Sequence, residues 1–203
     1  MGTLPMIEFS FAHWLVIISV CISVFGGVVY VRDTIRGSTK PNRVSWSMWA
    51  LAPLIGAGAA LNAHADAWAT SRILLAGLIP LIVFIASFVN RRSYWKLTFF
   101  DFLCGVCSLM AIISWFSAHS PTIAVLLSAL GDGFASLPTI HKAWLHPETE
   151  TGTTFLAGLI ATVLVLPSIP IWNIQNSAFQ IYLMVVNVVL LFAIYRRRIF
   201  SHS

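Results

Sequence analysis

TIAVLLSALGDGFASLPTIHKA, running from Thr122 to Ala143, carries one charged residue, Asp132, before Lys142 near its end. A helix crossing a bilayer needs about 20 mostly apolar residues, and this stretch has that length. Six more segments read the same way: 11–31, 44–62, 73–89, 102–117, 153–171 and 178–195. The chain is 58% hydrophobic and 9% charged, against about 25% charged in a soluble domain. Its polar residues are too few to coat a water-exposed surface. In lipid each helix satisfies its own backbone hydrogen bonds, so the pattern predicts an all-α membrane protein with seven spans.

The Lys and Arg residues fall between spans rather than on one soluble face, which excludes a nucleic-acid reading of the net charge of +5. Arg32, Arg36, Lys40 and Arg43 follow span 1; Arg91, Arg92 and Lys96 follow span 3. Lys142 ends span 5, and Arg196, Arg197 and Arg198 end span 7. Only Arg72 falls on the other side. Positive loops stay cytoplasmic, so the expected arrangement is a multi-pass plasma-membrane (inner-membrane) protein with its N-terminus outside and its C-terminus inside. Residues 1–10 hold Glu8 and no Lys or Arg, so a cleavable signal peptide is not expected.

A shift of 106 residues lays the loop after span 1 on the loop after span 5. Arg36 then falls on Lys142, Lys40 on His146, Pro41 on Pro147, Ser45 on Thr151 and Trp49 on Phe155. Ser45 and Thr151 are read as N-caps, hydroxyls that accept from orphan amides at a helix start. The predicted organisation is two parallel three-helix repeats, 1–96 and 121–203, joined by a linker helix within 97–120. Transporters use such repeats, with the substrate site near mid-membrane between them.

The run Leu137-Pro138-Thr139-Ile140-His141-Lys142-Ala143-Trp144, followed by Glu150-Thr151-Gly152-Thr153, resembles the Pro-Gln-loop signature of the SWEET and Pro-Gln-loop superfamily. Thr139 stands where that family has Gln, and Arg32-Asp33 stand at the equivalent place in the first copy. Lys40 to Trp46 also resembles a run in a group of uncharacterised seven-span bacterial proteins. The resemblance implies a three-plus-one-plus-three architecture with an outside N-terminus. It also implies a substrate role for Asn187, which matches an Asn in span 7 of sugar carriers. Mid-span 3 offers only Gly77, Pro80 and Leu81 for the second Asn, which speaks against a sugar.

Asp132 is the leading functional candidate, because an ionised carboxylate at the bilayer centre costs at least ~3 kcal/mol and needs a bundle interior or wet cavity. Ser128, Asp132 and Ser136 share one helix face. The expected substrate site is Asp132, Asn187, Ser128, Ser136 and Trp49, with Pro53, Pro138 and Pro167 as hinges. Pro80 and Pro170 also fall inside predicted spans, where each removes a helix hydrogen bond. Cys104 and Cys107 form a Cys-x-x-Cys that a thiol redox protein would use. His141, His146, Glu148 and Glu150 are read as solvated loop residues. No Gly-rich phosphate loop or Ser/His/Asp arrangement occurs, so no enzyme, cofactor or metal is expected. The expected partners are the bilayer and a small-molecule solute; the chain fits a monomer or a homo-oligomer. The leading expectation is a carrier or facilitator for a small polar solute, driven by a proton through Asp132 or by none. The alternatives are a non-transporting receptor or assembly protein and the thiol redox protein.

Overall fold

The computed structural model describes residues 11–62, 67–169 and 171–200, and within them every regular element is helical. Glu8, Pro170, the last three residues and the Arg72 side chain lie outside that description. Seven α-helices follow in order: α1 Phe11–Arg36, α2 Arg43–Asn62, α3 Ala67–Ala86, α4 Phe99–Phe116, α5 Pro121–Leu145, α6 Gly152–Val165 and α7 Ile174–Phe200. Helices α1, α2, α4, α5 and α7 are long and apolar enough to cross a membrane; α3 and α6 contribute the shorter apolar stretches Ile73–Ala86 and Gly152–Ser168.

The packing is that of a protein in oil. Phe25, Val28, Ile82, Ile85, Phe102, Met110, Ile113, Leu130 and Val188 point outward and are exposed, while Thr34, Asn42, Ser45, Asp101, Lys142 and Glu150 are buried. Water would reverse that preference, and a bilayer satisfies it.

The helices depart from the expected spans mostly at their ends. Helix α1 continues past Val31 to Arg36, and α7 continues past Tyr195 to Phe200. Helix α6 stops at Val165 rather than at 171 and passes into a 3-10 turn, Leu166–Ser168. Pro167 lacks an amide to continue the ladder, so it ends α6 and is not a hinge within it. Pro53, Pro80 and Pro138 do lie inside α2, α3 and α5.

One packing pattern occurs twice. Helix α3 packs on both α1 and α2, and α7 packs on both α5 and α6. The two sets meet along two seams, α1 against α6 and α2 against α5, which an exchange of sets would interconvert. The helix ends give the register: α2 opens at Arg43 and α6 at Gly152, 109 residues apart, and α1 and α5 close at Arg36 and Leu145, also 109 apart. This corrects the shift of 106, which matched the loop prolines instead of the helix ends. At 109, Asn42 falls on Thr151 and Lys40 on Thr149. The Lys40 amide in fact donates to the Thr149 carbonyl at 3.0 Å, so equivalent points of the two sets touch.

The expected caps also change. Asn42, not Ser45, caps α2, its Oδ1 accepting from the Val44 amide at 3.1 Å and the Ser45 amide at 3.3 Å. Thr151 holds the N-cap position of α6 without a side-chain cap bond. Its hydroxyl pairs with that of Thr39 at 2.5 Å and donates to Asp33 at 3.1 Å, joining the two sets instead.

The α1–α6 seam is the tighter one. A Cβ on Gly26 would lie 2.7 Å from the Ala157 Cβ and 3.3 Å from the Thr154 Cα, and Thr154 donates its hydroxyl to the Gly26 carbonyl at 2.7 Å. Backbone this close has nowhere to retreat. Gly26→Ala should therefore destabilise the fold by ~1–3 kcal/mol, the cost of overpacking a tight contact. Thermal unfolding in detergent checks this, and an unshifted midpoint would mean the seam yields.

Candidate functional site

The α2–α5 seam is the open one. Helix α4 packs against both of its helices, and a cavity of about 410 Å³ lies between the three. Ala52, Pro53 and Gly56 line it from α2, Ser108, Ile112 and Trp115 from α4, and Ser128, Asp132 and Ala135 from α5. Ile73 of α3 and Phe179 of α7 also line it. These positions run from mid-bundle to the end opposite the basic loops. Helix α4 is thus a wall of the cavity as well as a linker.

Asp132 is directed into this space. Tyr182 of α7 donates its hydroxyl to Asp132 Oδ2 at 2.7 Å, and the Trp49 side chain of α2 is a second polar neighbour. The carboxylate is held on the cavity wall and not turned to lipid, as an acid at this depth requires. Tyr182 was missed by the sequence reading. Its signal is position: a tyrosine well inside α7, away from the interfacial belts where tyrosine usually sits.

The structure brings only part of the predicted site together. Ser128 lines the cavity, but its hydroxyl donates to the Ala124 carbonyl at 2.9 Å. Ser136 is buried, bonds the Gly133 carbonyl at 2.8 Å and reaches the Tyr182 hydroxyl at 3.5 Å. It faces an outer α5–α7 groove rather than the main cavity. Asn187 is not in the site. Its amide donates to the Leu183 carbonyl at 2.8 Å within α7, and its oxygen lies 2.7 Å from where a Cβ on Gly158 would stand, so it packs into the α6–α7 contact. Trp49 sits behind Asp132, and Pro53 lies on the wall itself. Pro138 is buried in α5, outside the cavity.

Beneath the cavity, towards the basic end, the bundle is filled. Trp49 meets Trp46 edge-on with ring centroids 5.1 Å apart, and Trp46 lies 4.5 Å from Tyr30, which also meets Phe155 at 6.3 Å. Tyr30 donates to Glu150 Oε2 at 2.7 Å, and Lys142 Nζ lies 2.5 Å from Glu150 Oε1. Lys142 also donates to the Lys40 carbonyl, so this latch ties the loop after α1 to the loop after α5. Lys142 and the Glu150 side chain are 1% and 0% exposed. Glu150 is therefore not the solvated loop residue expected, and Lys142 is neutralised inside the bundle rather than free to anchor topology. The hydroxyls of Thr34, Ser45 and Thr139, buried in the same half, have no protein partner.

The remaining candidates go elsewhere. Cys104 is buried and Cys107 partly buried, both as free thiols. The His141 ring lies tilted against Phe100 with centroids 5.3 Å apart, and His146 lies 3.3 Å from Glu148 at the surface. A backbone amide and then His146 hold the exposed Glu148 carboxyl below its usual range. Among the described residues no three His, Cys, Asp or Glu side chains converge as metal ligands.

Compared with protein-family models, curated proteins and solved structures, the chain matches none.

Proposed function

We propose that this protein is a carrier or facilitator that moves a small polar solute across the membrane by alternating access between its two three-helix sets. The observation that carries the reading is the asymmetry of the α2–α5 seam: an open cavity holding a lone mid-span carboxylate, above a filled and latched opposite end. The three-plus-one-plus-three helix order and the Pro-Gln-loop resemblance after α5 support the same class. So do the unpaired Thr34, Ser45 and Thr139 hydroxyls. A buried polar group without a partner costs about 1–3 kcal/mol, and opening the latched end would return these groups to water. Apart from the buried Lys142, ten of the other eleven Lys and Arg residues lie at that end, which supports placing it in the cytoplasm of a cell with a plasma membrane. The cavity then faces outward.

Uptake into proteoliposomes over a broad solute panel tests transport directly. At least one solute should enter saturably, and Asp132→Asn should reduce its entry; a panel with no entry above empty liposomes rejects the carrier. The direction of opening has its own test. In a background without the native cysteines, Ser128→Cys should react with a membrane-impermeant maleimide added outside intact cells, and Ser45→Cys should stay protected. The reverse pattern would invert the proposed orientation.

A further inference from the structure

We infer that the cavity takes a monovalent organic cation, an ammonium group on an apolar body, with Asp132 as its counter-charge. This rests on the carrier reading for its transport, but not for its binding. The walls decide the chemistry. Among the described residues lining the cavity, Asp132 is the single ionisable one, and no described Lys, Arg or His joins it. An anion would face a like charge in a low-dielectric space, with nothing to offset it.

A sugar or other polyol fits no better. It needs many donors and acceptors, since each hydroxyl buried without a partner is penalised. Among its described lining side chains the cavity offers Asp132, two serines and the Trp115 indole N–H, and Ser128 already spends its proton on the Ala124 carbonyl. A bare metal ion needs about six oxygen ligands, and one carboxylate does not supply them. What remains is a charge that one carboxylate can meet, carried on a body that apolar walls can cover. Ile112, Val125, Pro53 and Ala52 provide the apolar cover, while Trp115 and Phe179 provide rings that suit an alkylammonium. The volume of about 410 Å³ falls within the range of roughly 300–1,000 Å³ typical of small-molecule sites.

Tetraethylammonium is the probe: permanently charged, apolar in shell and unable to cross lipid unaided. Calorimetric titration of the full chain in detergent reads binding, and uptake of radiolabelled probe into proteoliposomes reads flux, with glucose and glutarate in parallel. The proposal expects saturable binding that Asp132→Asn weakens about tenfold or more, the loss of a desolvated charge partner, while Asp132→Glu retains most of it. Ala52→Phe, which fills the cavity from α2 and leaves Asp132 in the chain, should also abolish binding if that variant melts as the native chain does. Equal loss in Asp132→Asn and Asp132→Glu at unchanged melting temperature would overturn the charge argument. Glucose or glutarate flux without tetraethylammonium binding would reject the cation and leave the carrier standing. Asp132-dependent binding without flux of any solute would keep the cation site and reject the carrier. Neither binding nor flux would reject both.

Discussion

Lys142→Met should destabilise the folded protein by about 3–5 kcal/mol, because it strands the Glu150 carboxylate without its cation in the bundle interior. The pair is fully enclosed: Lys142 Nζ lies 2.5 Å from Glu150 Oε1, with neither side chain more than 1% exposed. Glu150→Gln should do comparable damage from the other side, since it leaves an ammonium with only the Lys40 carbonyl to receive its protons. Combining the two changes is the informative variant. With no charge left to strand, the double variant should recover most of the loss, short of about 1 kcal/mol for the missing bond to the Lys40 carbonyl. Gln still accepts from Tyr30, so that bond survives. Chemical or thermal unfolding in detergent reads all three. If the double variant were as unstable as the sum of the singles, the two charges would not be coupled and the latch would be misidentified.

The latch also lies at one end of a continuous set of contacts. Asp132 neighbours Trp49, Trp49 meets Trp46, Trp46 meets Tyr30, and Tyr30 bonds Glu150. A ligand that draws on Asp132 therefore touches the same packed column that holds the opposite end shut. The contacts run without a break from the cavity wall to the latch. The double variant can test whether they couple the two, since a weakened latch should change flux more than it changes binding.

Asn42→Ala is expected to lower stability by about 2–4 kcal/mol, through two separable losses. Asn42 is fully buried, caps α2 through Oδ1, and donates its amide to Asp101 Oδ1 at 3.0 Å. Asp101 is itself buried and forms the capping box of α4, accepting from the Thr98 amide at 2.6 Å and the Thr98 hydroxyl at 2.9 Å. One side chain thus fastens the start of α2 to the start of α4, two walls of the cavity. Alanine removes the cap, at about 0.5–2 kcal/mol. It also leaves a buried carboxylate oxygen short of a donor, at about 1–3 kcal/mol. Asn42→Ser separates the two, because serine can still cap but is too short to reach Asp101. Its midpoint should fall between those of the native chain and the alanine variant; serine matching alanine would place the whole effect at Asp101.

Much of this architecture is legible in the residues alone. Charge is absent from blocks long enough to cross a bilayer and gathered between them, and that pattern specifies the helices, their number and the end that carries the basic loops. Asp132 is legible for the same reason: a carboxylate in mid-span is costly anywhere except beside a cavity. The proline at 167 misleads, because a span drawn from hydropathy does not register a missing amide, and α6 ends there.

Which faces meet is a different matter. For a soluble helix the apolar stripe marks the core. Here the surrounding lipid is as apolar as the bundle interior, so a helix carries little record of its own rotation. That is why Asn187, polar and mid-span, turns to the α6–α7 contact, while Tyr182 on the same helix is the group that reaches Asp132. It is also why Glu150 reads as a loop residue, although it finds Lys142 and Tyr30 from across the bundle. Composition along the chain determined seven helices, five of them long and apolar enough to cross a membrane, and where one acid must be sheltered. Only tertiary packing decided which helices shelter it, because in oil the choice of neighbour depends on close fit and on hydrogen bonds between residues far apart in the chain.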